Sequence, residues 1–165
     1  MNKFKYTLLR CFQLLFIFTL SGTIYYIMEV IFKGLSRGSH WSMFVLSGIA
    51  SVVFIDGLNN VFTYEMDWLL QSAISSIMIT IWEYFTGCIF NQNYSIWDYR
   101  NLPFNFQGQI CLYFTLLWFV LAFIYIPILD YIEWKWFKYK SSTPPYYKIF
   151  NHVVLRFGKE KESNG

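Results

Sequence analysis

WLLQSAISSIMITIWEYFTGCIF, residues 68–90, has the length and composition of a membrane-spanning helix. A hydrocarbon core about 30 Å thick takes about 20 apolar helical residues at about 1.5 Å each, and this run supplies them with one acidic residue, Glu83. Residues 8–32, 41–58 and 110–132 pass the same test. Unsatisfied backbone groups in lipid cost several kcal/mol apiece, so each span is expected to be a helix that bonds its own amides. The expectation is an all-α integral membrane protein: four transmembrane helices in a bundle over residues 1–132, then an amphipathic tail over 133–165.

Composition agrees. Of 165 residues, 56% are hydrophobic, 23% aromatic and 14% charged, against about 25% charged in a soluble domain. A soluble four-helix core would need polar outer faces, which these segments lack. The net charge of +3 is modest and its bases lie mostly outside the spans, so they read as orienting signals and not as a nucleic-acid footprint. Cys11, Cys88 and Cys111 have no CxxC spacing, which argues against a disulfide scaffold or zinc site. Cys88 and Cys111 fall near one end of the bundle, so their pairing stays open beside the commoner buried thiol.

Lys3, Lys5 and Arg10 precede an apolar run that continues to Phe32 without a small-residue cleavage pattern, so the first segment reads as an uncleaved span. With four spans both termini share one side, which collects Lys3, Lys5, Arg10, Lys135, Lys138, Lys140, Lys148, Arg156, Lys159 and Lys161; the other side has Lys33, Arg37 and Arg100. The positive-inside rule then places both termini in the cytoplasm. The aromatic and basic tail from Trp134 to Lys148 suits the headgroup layer, and residues 159–165 read as disordered.

Acids inside a span cost about 2.5–3.5 kcal/mol at a helix centre and face a protein interior or a cavity. Glu29 and Glu83 are therefore the informative residues. Ser72, Ser76, Thr80, Glu83 and Gly87 recur at spacings of three and four, on one helix face. Gly22, Tyr25, Tyr26 and Glu29 share a side of the first span. Counted from the cytoplasmic entry, Glu29 lies about 30 Å and Glu83 about 22 Å along their helices, near the outer face with Asp98, Arg100, Asn105, Gln107 and Gln109. The same arithmetic puts Asp56 with Asn59, Asn60 and Asp130 near the inner face. Arg100 is the candidate countercharge for Glu29, Glu83 or Asp98, since a guanidinium binds a carboxylate bidentately. On that reading the 91–109 connection, too long for a simple turn, folds back over the helix ends and Arg100→Gln lowers the folded yield.

Two stretches carry a resemblance. Trp82-Glu83-Tyr84-Phe85-Thr86-Gly87 and the run from Ile96 to Leu112, with Trp97-Asp98-Tyr99-Arg100 and Pro103-Phe104-Asn105-Phe106-Gln107-Gly108-Gln109-Ile110-Cys111-Leu112, together resemble the small bacterial membrane proteins called putative ABC-transporter type IV, or CmpB-like permeases. The segments from Gly22 to Glu29 and Ser39 to Phe44 are similar to its short members. The resemblance implies a multi-pass protein of the bacterial plasma membrane with Glu83, Trp97, Asp98, Tyr99, Pro103, Asn105 and Gly108 at signature positions. Arg100 stands where a small polar residue is expected.

Three function classes follow. The first is a transport component, served by a separate ATPase or by self-association, because the chain contains no Gly-x-x-x-x-Gly-Lys-Ser/Thr loop to cradle phosphates. The second is a non-transporting binding, assembly or holin-like module. The third, an intramembrane enzyme, has little to build on: His40 and His152 fall on opposite sides, no Gly-x-Ser-x-Gly elbow is present, and no metal or cofactor is expected.

Overall fold

A computed structural model describes residues 3–34, 38–137 and 144–158 of the chain. The sequence readings on Arg37, Lys138, Lys140 and residues 159–165 lie outside the described residues, as does the side chain of Lys3. Four helices are long and apolar enough to cross a membrane: α1 (Lys3–Lys33), α2 (Trp41–Val61), α3 (Trp68–Phe90) and α4 (Leu112–Phe137). α2 winds as a π-helix over Ala50–Gly57, and α4 does so over Glu133–Phe137.

The chain turns the usual soluble pattern inside out. Ile24, Ile27, Ile31, Ile77, Ile81, Ile89, Leu116, Val120 and Ile124 are exposed, while Gln13, Asp56, Gln71, Ser72, Ser75, Ser76, Glu83, Asp130 and Glu133 are buried. Apolar side chains cost nothing against lipid tails, whereas polar ones in lipid must find partners inside the protein. α1 packs along α2 and α3 along α4, and α2 is the wall that touches all of the others. The core between them holds Ile17, Ala50, Ile55, Ile79, Trp118, Ile126 and Leu129. We call the end that carries the N-terminus, the 62–67 link and the residues after α4 the near end; the 34–40 link and the 91–111 connection form the far end.

The all-α expectation needs one correction, because the described residues include two small antiparallel sheets. β1 (Asn105–Phe106) pairs with β2 (Ile110–Cys111) in the far-end connection, so α4 starts at Leu112 and not at residue 110. Gly108 in its turn has φ +63, and a Cβ there would fall 2.4 Å from Cγ of Arg100; the left-handed conformation and the lack of room both require glycine.

Part of the tail, expected as an amphipathic segment in the headgroup layer, is a hairpin: β3 (Tyr146–Ile149) and β4 (His152–Arg156), joined through Phe150 and Asn151. Both turn residues have positive φ, the geometry that matches the right-handed twist of the flanking strands. Aromatic and β-branched residues suit this pleated pairing, but an aromatic and basic composition reads equally as interfacial.

The hairpin is pinned to the start of α3. Asp67 caps that helix, accepting from the Leu69 and Leu70 amides through Oδ1 at 2.9 and 3.2 Å, while its Oδ2 accepts from the Phe150 amide at 2.7 Å. Glu65 accepts from Tyr146 and pairs with Lys148. The Phe150 amide, with those of Leu70 and Leu69, holds the Asp67 carboxyl below its ordinary value of 3.8. A depressed carboxyl contributes stability above its unfolded pKa and loses it as pH falls through the folded value. Asp67→Ala is expected to cost about 1 kcal/mol and to lower hydrogen-exchange protection at the Phe150 amide; in the unaltered protein that protection should hold above pH 5 and fall only below the ordinary carboxylate range.

Candidate functional site

The serine-rich face of α3 turns inward as its spacing predicts. Ser72 and Thr80 return their hydroxyls to the carbonyls of Trp68 and Ser76 at 2.8 and 2.9 Å, and Thr80 also reaches Thr115 Oγ1 of α4 at 3.1 Å. One turn on, Glu83 is 2% exposed. Its Oε1 accepts from the Tyr99 hydroxyl and its Oε2 from Trp118 Nε1, both at 3.0 Å. Tyr99 stacks on Phe114 with ring centres 4.4 Å apart, and Trp118 stacks on Tyr25 of α1 at 5.4 Å. Glu83 therefore joins α3, α4 and the far-end loop through two neutral donors held by aromatic packing.

The loop is a built plug. Asn91, which ends α3, donates through Nδ2 to the Trp97 carbonyl at 2.7 Å and accepts at Oδ1 from the amides of Ile96 and Trp97. Trp97 Nε1 donates to the Gln109 carbonyl at 2.9 Å, and the Tyr99 amide to the Gly108 carbonyl at 3.0 Å. Gly87 lets this plug sit directly on α3: a Cβ there would lie 2.4 Å from Gln109 Oε1. Ile96, Trp97, Tyr99 and Cys111 are buried with Met43 and Leu46 of α2. Asn105 shapes the turn, donating to the Leu102 carbonyl at 2.7 Å and accepting from the Gly108 amide at 3.0 Å. Pro103 lies exposed beside it.

The signature acids divide. Asp98 meets Arg100 through Oδ1 to Nε at 2.9 Å and Oδ2 to Nη2 at 2.7 Å, at the surface. The hydrogen bond and charge of Arg100 hold the Asp98 carboxyl at about 2. The pairing expected of Arg100 is thus with Asp98 and not with Glu29 or Glu83, so the loss of folded yield expected for Arg100→Gln does not follow from this geometry: an exposed pair contributes little. Glu29 pairs with Lys33 at 2.5 Å and accepts from the Ser39 hydroxyl; Lys33 also donates to the Ile96 carbonyl at 2.8 Å.

A second buried network lies at the near end. Arg10 of α1 reaches Asp56 of α2 at 2.5 Å and Glu133 of α4 at 3.2 Å, and Gln13 also donates to Glu133. Beside it, Asp130 accepts from Asn59 Nδ2 and the Tyr147 hydroxyl, each at 2.5 Å, while Gln71 Nε2 of α3 donates to Asn59 Oδ1 at 2.7 Å. Asn60 donates to the Asp56 carbonyl at 2.7 Å. Depth arithmetic grouped Asp56, Asn59, Asn60 and Asp130 correctly, but read Arg10 as an orienting charge and passed over Gln13, Gln71, Glu133 and Tyr147. The signal available was Arg10 itself, a guanidinium within an apolar run that needs acids at its own depth.

Between the two networks lies a cavity of about 120 Å³, lined from α1 by Ser21, Tyr25 and Met28, from α2 by Ala50, from α3 by Ile79 and from α4 by Trp118 and others. Trp118 thus forms part of its wall while donating to Glu83. Cys11, Cys88 and Cys111 are free thiols. Among the described residues no group of three His, Cys, Asp or Glu is placed to hold a metal ion.

Glu83→Met strands the Tyr99 hydroxyl and the Trp118 N–H, about 1–3 kcal/mol for each buried donor left unpaired, and thermal unfolding in detergent should show the loss. Glu83→Gln can accept from Trp118 and donate to a reversed Tyr99 hydroxyl, so it should retain most of the stability. Arg100→Gln should leave the midpoint unchanged. A Met variant as stable as the parent, or a clear drop for Arg100→Gln, would contradict this assignment.

No solved structure matches the chain. The model of one protein family, described as Putative ABC-transporter type IV, matches residues 14–157, a span that takes in both buried networks, the plug and the hairpin. The chain is a membrane protein belonging to that family.

Proposed function

We propose that this protein is the membrane-embedded component of a transporter, permease-like in role, whose ATP hydrolysis comes from a separate chain. The observation that carries the reading is Glu83: a buried carboxylate held by two neutral donors, one of which, Trp118, also lines a cavity to which all four helices contribute. Intramembrane carboxylates mark substrate or ion pathways by default, and the family is named for ABC transport. The 165 residues contain no phosphate-cradling Gly-x-x-x-x-Gly-Lys-Ser/Thr run, which is why the motor is assigned elsewhere. The near end, carrying Lys5, Lys135, Lys148 and Arg156, faces the cytoplasm of a bacterial plasma membrane by the positive-inside rule, and the hairpin presents the surface a cytoplasmic ATPase would meet.

A second reading, a non-transporting binding or assembly module, is favoured by the plug, whose Ile96, Trp97 and Tyr99 are packed into the far end. Purification of the tagged chain from its native membrane separates the two. The transport reading expects a chain with a phosphate-binding loop in stoichiometric amount, and ATP hydrolysis that Glu83→Gln lowers about tenfold or more while the complex stays assembled. A chain that purifies alone, or only with copies of itself, would overturn it in favour of the module.

A further inference from the structure

We propose that the cavity between α1 and α4 is a lateral groove that holds one acyl chain of a bilayer phospholipid. Helices α1 and α4 each pack closely along another partner, α2 and α3, and leave a seam between themselves. The floor of the seam is Ala50 and Ile55 of α2 and Ile79 of α3, all buried; its rim is Ile24, Met28 and Ile124, all exposed. The rim belongs to the apolar surface that meets lipid, so the groove is continuous with the acyl-chain phase.

The chemistry of the lining selects the occupant. Hydroxyls of Ser21 and Tyr125 bond to each other across the groove, and that of Ser47 is spent on the Met43 and Phe44 carbonyls of its own helix at 2.8 and 3.2 Å. A bound water needs two to four polar partners; beyond these engaged groups the lining offers the hydroxyls of Tyr25 and Ser51 among nine apolar side chains, so the surface presented is overwhelmingly apolar. Size decides the rest. An apolar cavity of about 150 Å³ takes a benzene ring, so about 120 Å³ suits a short run of methylenes. A helix from a second copy, about 10–12 Å across, does not enter. From Ser21 to Met28 the groove follows α1 for about 10 Å, the shape of a chain lying along a helix. This site stands whether or not a separate ATPase exists.

The full chain reconstituted in phosphatidylethanolamine and phosphatidylglycerol vesicles, with a trace of phosphatidylcholine bearing a diazirine at mid acyl chain, tests it. After irradiation, adducts mapped by mass spectrometry should fall on Met28 and Leu121 at least fivefold more often than on Val120, which adjoins Leu121 in the same helix but is exposed on another face. Ala122→Phe should remove the groove adducts and spare those on Val120. Ile24→Trp, at a half-exposed rim position, should do the same and keeps the test decisive if Ala122→Phe fails to fold. Equal labelling of groove and Val120, adducts unchanged in the Ile24→Trp variant, or cross-links from a second copy in the groove would overturn the proposal.

Discussion

A polar group inside hydrocarbon has nowhere to turn but to the protein, and that constraint organises this molecule from end to end. Arg10, Asp56 and Glu133 come from three different helices and meet at the near end; Glu83, Tyr99 and Trp118 come from two helices and a loop and meet at the far end. Each group costs several kcal/mol if left alone in lipid, so the geometry that satisfies one cluster also fixes which helices are neighbours. Between the clusters the packing is mostly apolar, with hydroxyl pairs such as Thr80–Thr115 and Ser21–Tyr125 bridging the helices.

The two clusters differ in kind. At the near end a guanidinium offsets two acids, while Asn59 and Tyr147 satisfy the neighbouring Asp130 and Gln71 in turn holds Asn59, an arrangement that ties α1, α2, α3, α4 and the hairpin together. At the far end two neutral donors hold Glu83, and no guanidinium or ammonium bonds to it among the described residues. Removing one partner of a buried charge pair is costly, whereas a carboxylate held by neutral donors tolerates an isosteric amide. The first arrangement suits a staple and the second suits a site that acts, which is why the functional proposal rests on Glu83.

Much of this was legible in the chain. Length and apolarity located all four helices, the spacing of Ser72, Ser76, Thr80, Glu83 and Gly87 predicted the buried face, and Trp82 to Gly87 with Ile96 to Leu112 carried the family. Partners were less legible because they are set by tertiary approach: nothing in the spacing places Trp118 opposite Glu83, or Arg10 opposite Asp56 and Glu133. Of the three partners open to Arg100, the acid two residues away won over the more distant Glu29 and Glu83, because local geometry already brings Asp98 within reach. The hairpins were missed because strands this short offer little alternation to read, and the positive φ of Phe150 and Asn151 sits on residues without the Asn-Gly signature that announces such a turn.

The Arg10 pairing is made across helices within the protein and holds the near end together. A double-mutant cycle on thermal unfolding in detergent, with Arg10→Met, Asp56→Leu and both together, tests it most directly. Arg10→Met should cost about 3–5 kcal/mol by leaving Asp56 and Glu133 without their cation, Asp56→Leu should cost less because Glu133 still pairs with Arg10, and the double should cost less than the sum by at least about 1 kcal/mol. Costs that simply add would contradict the account.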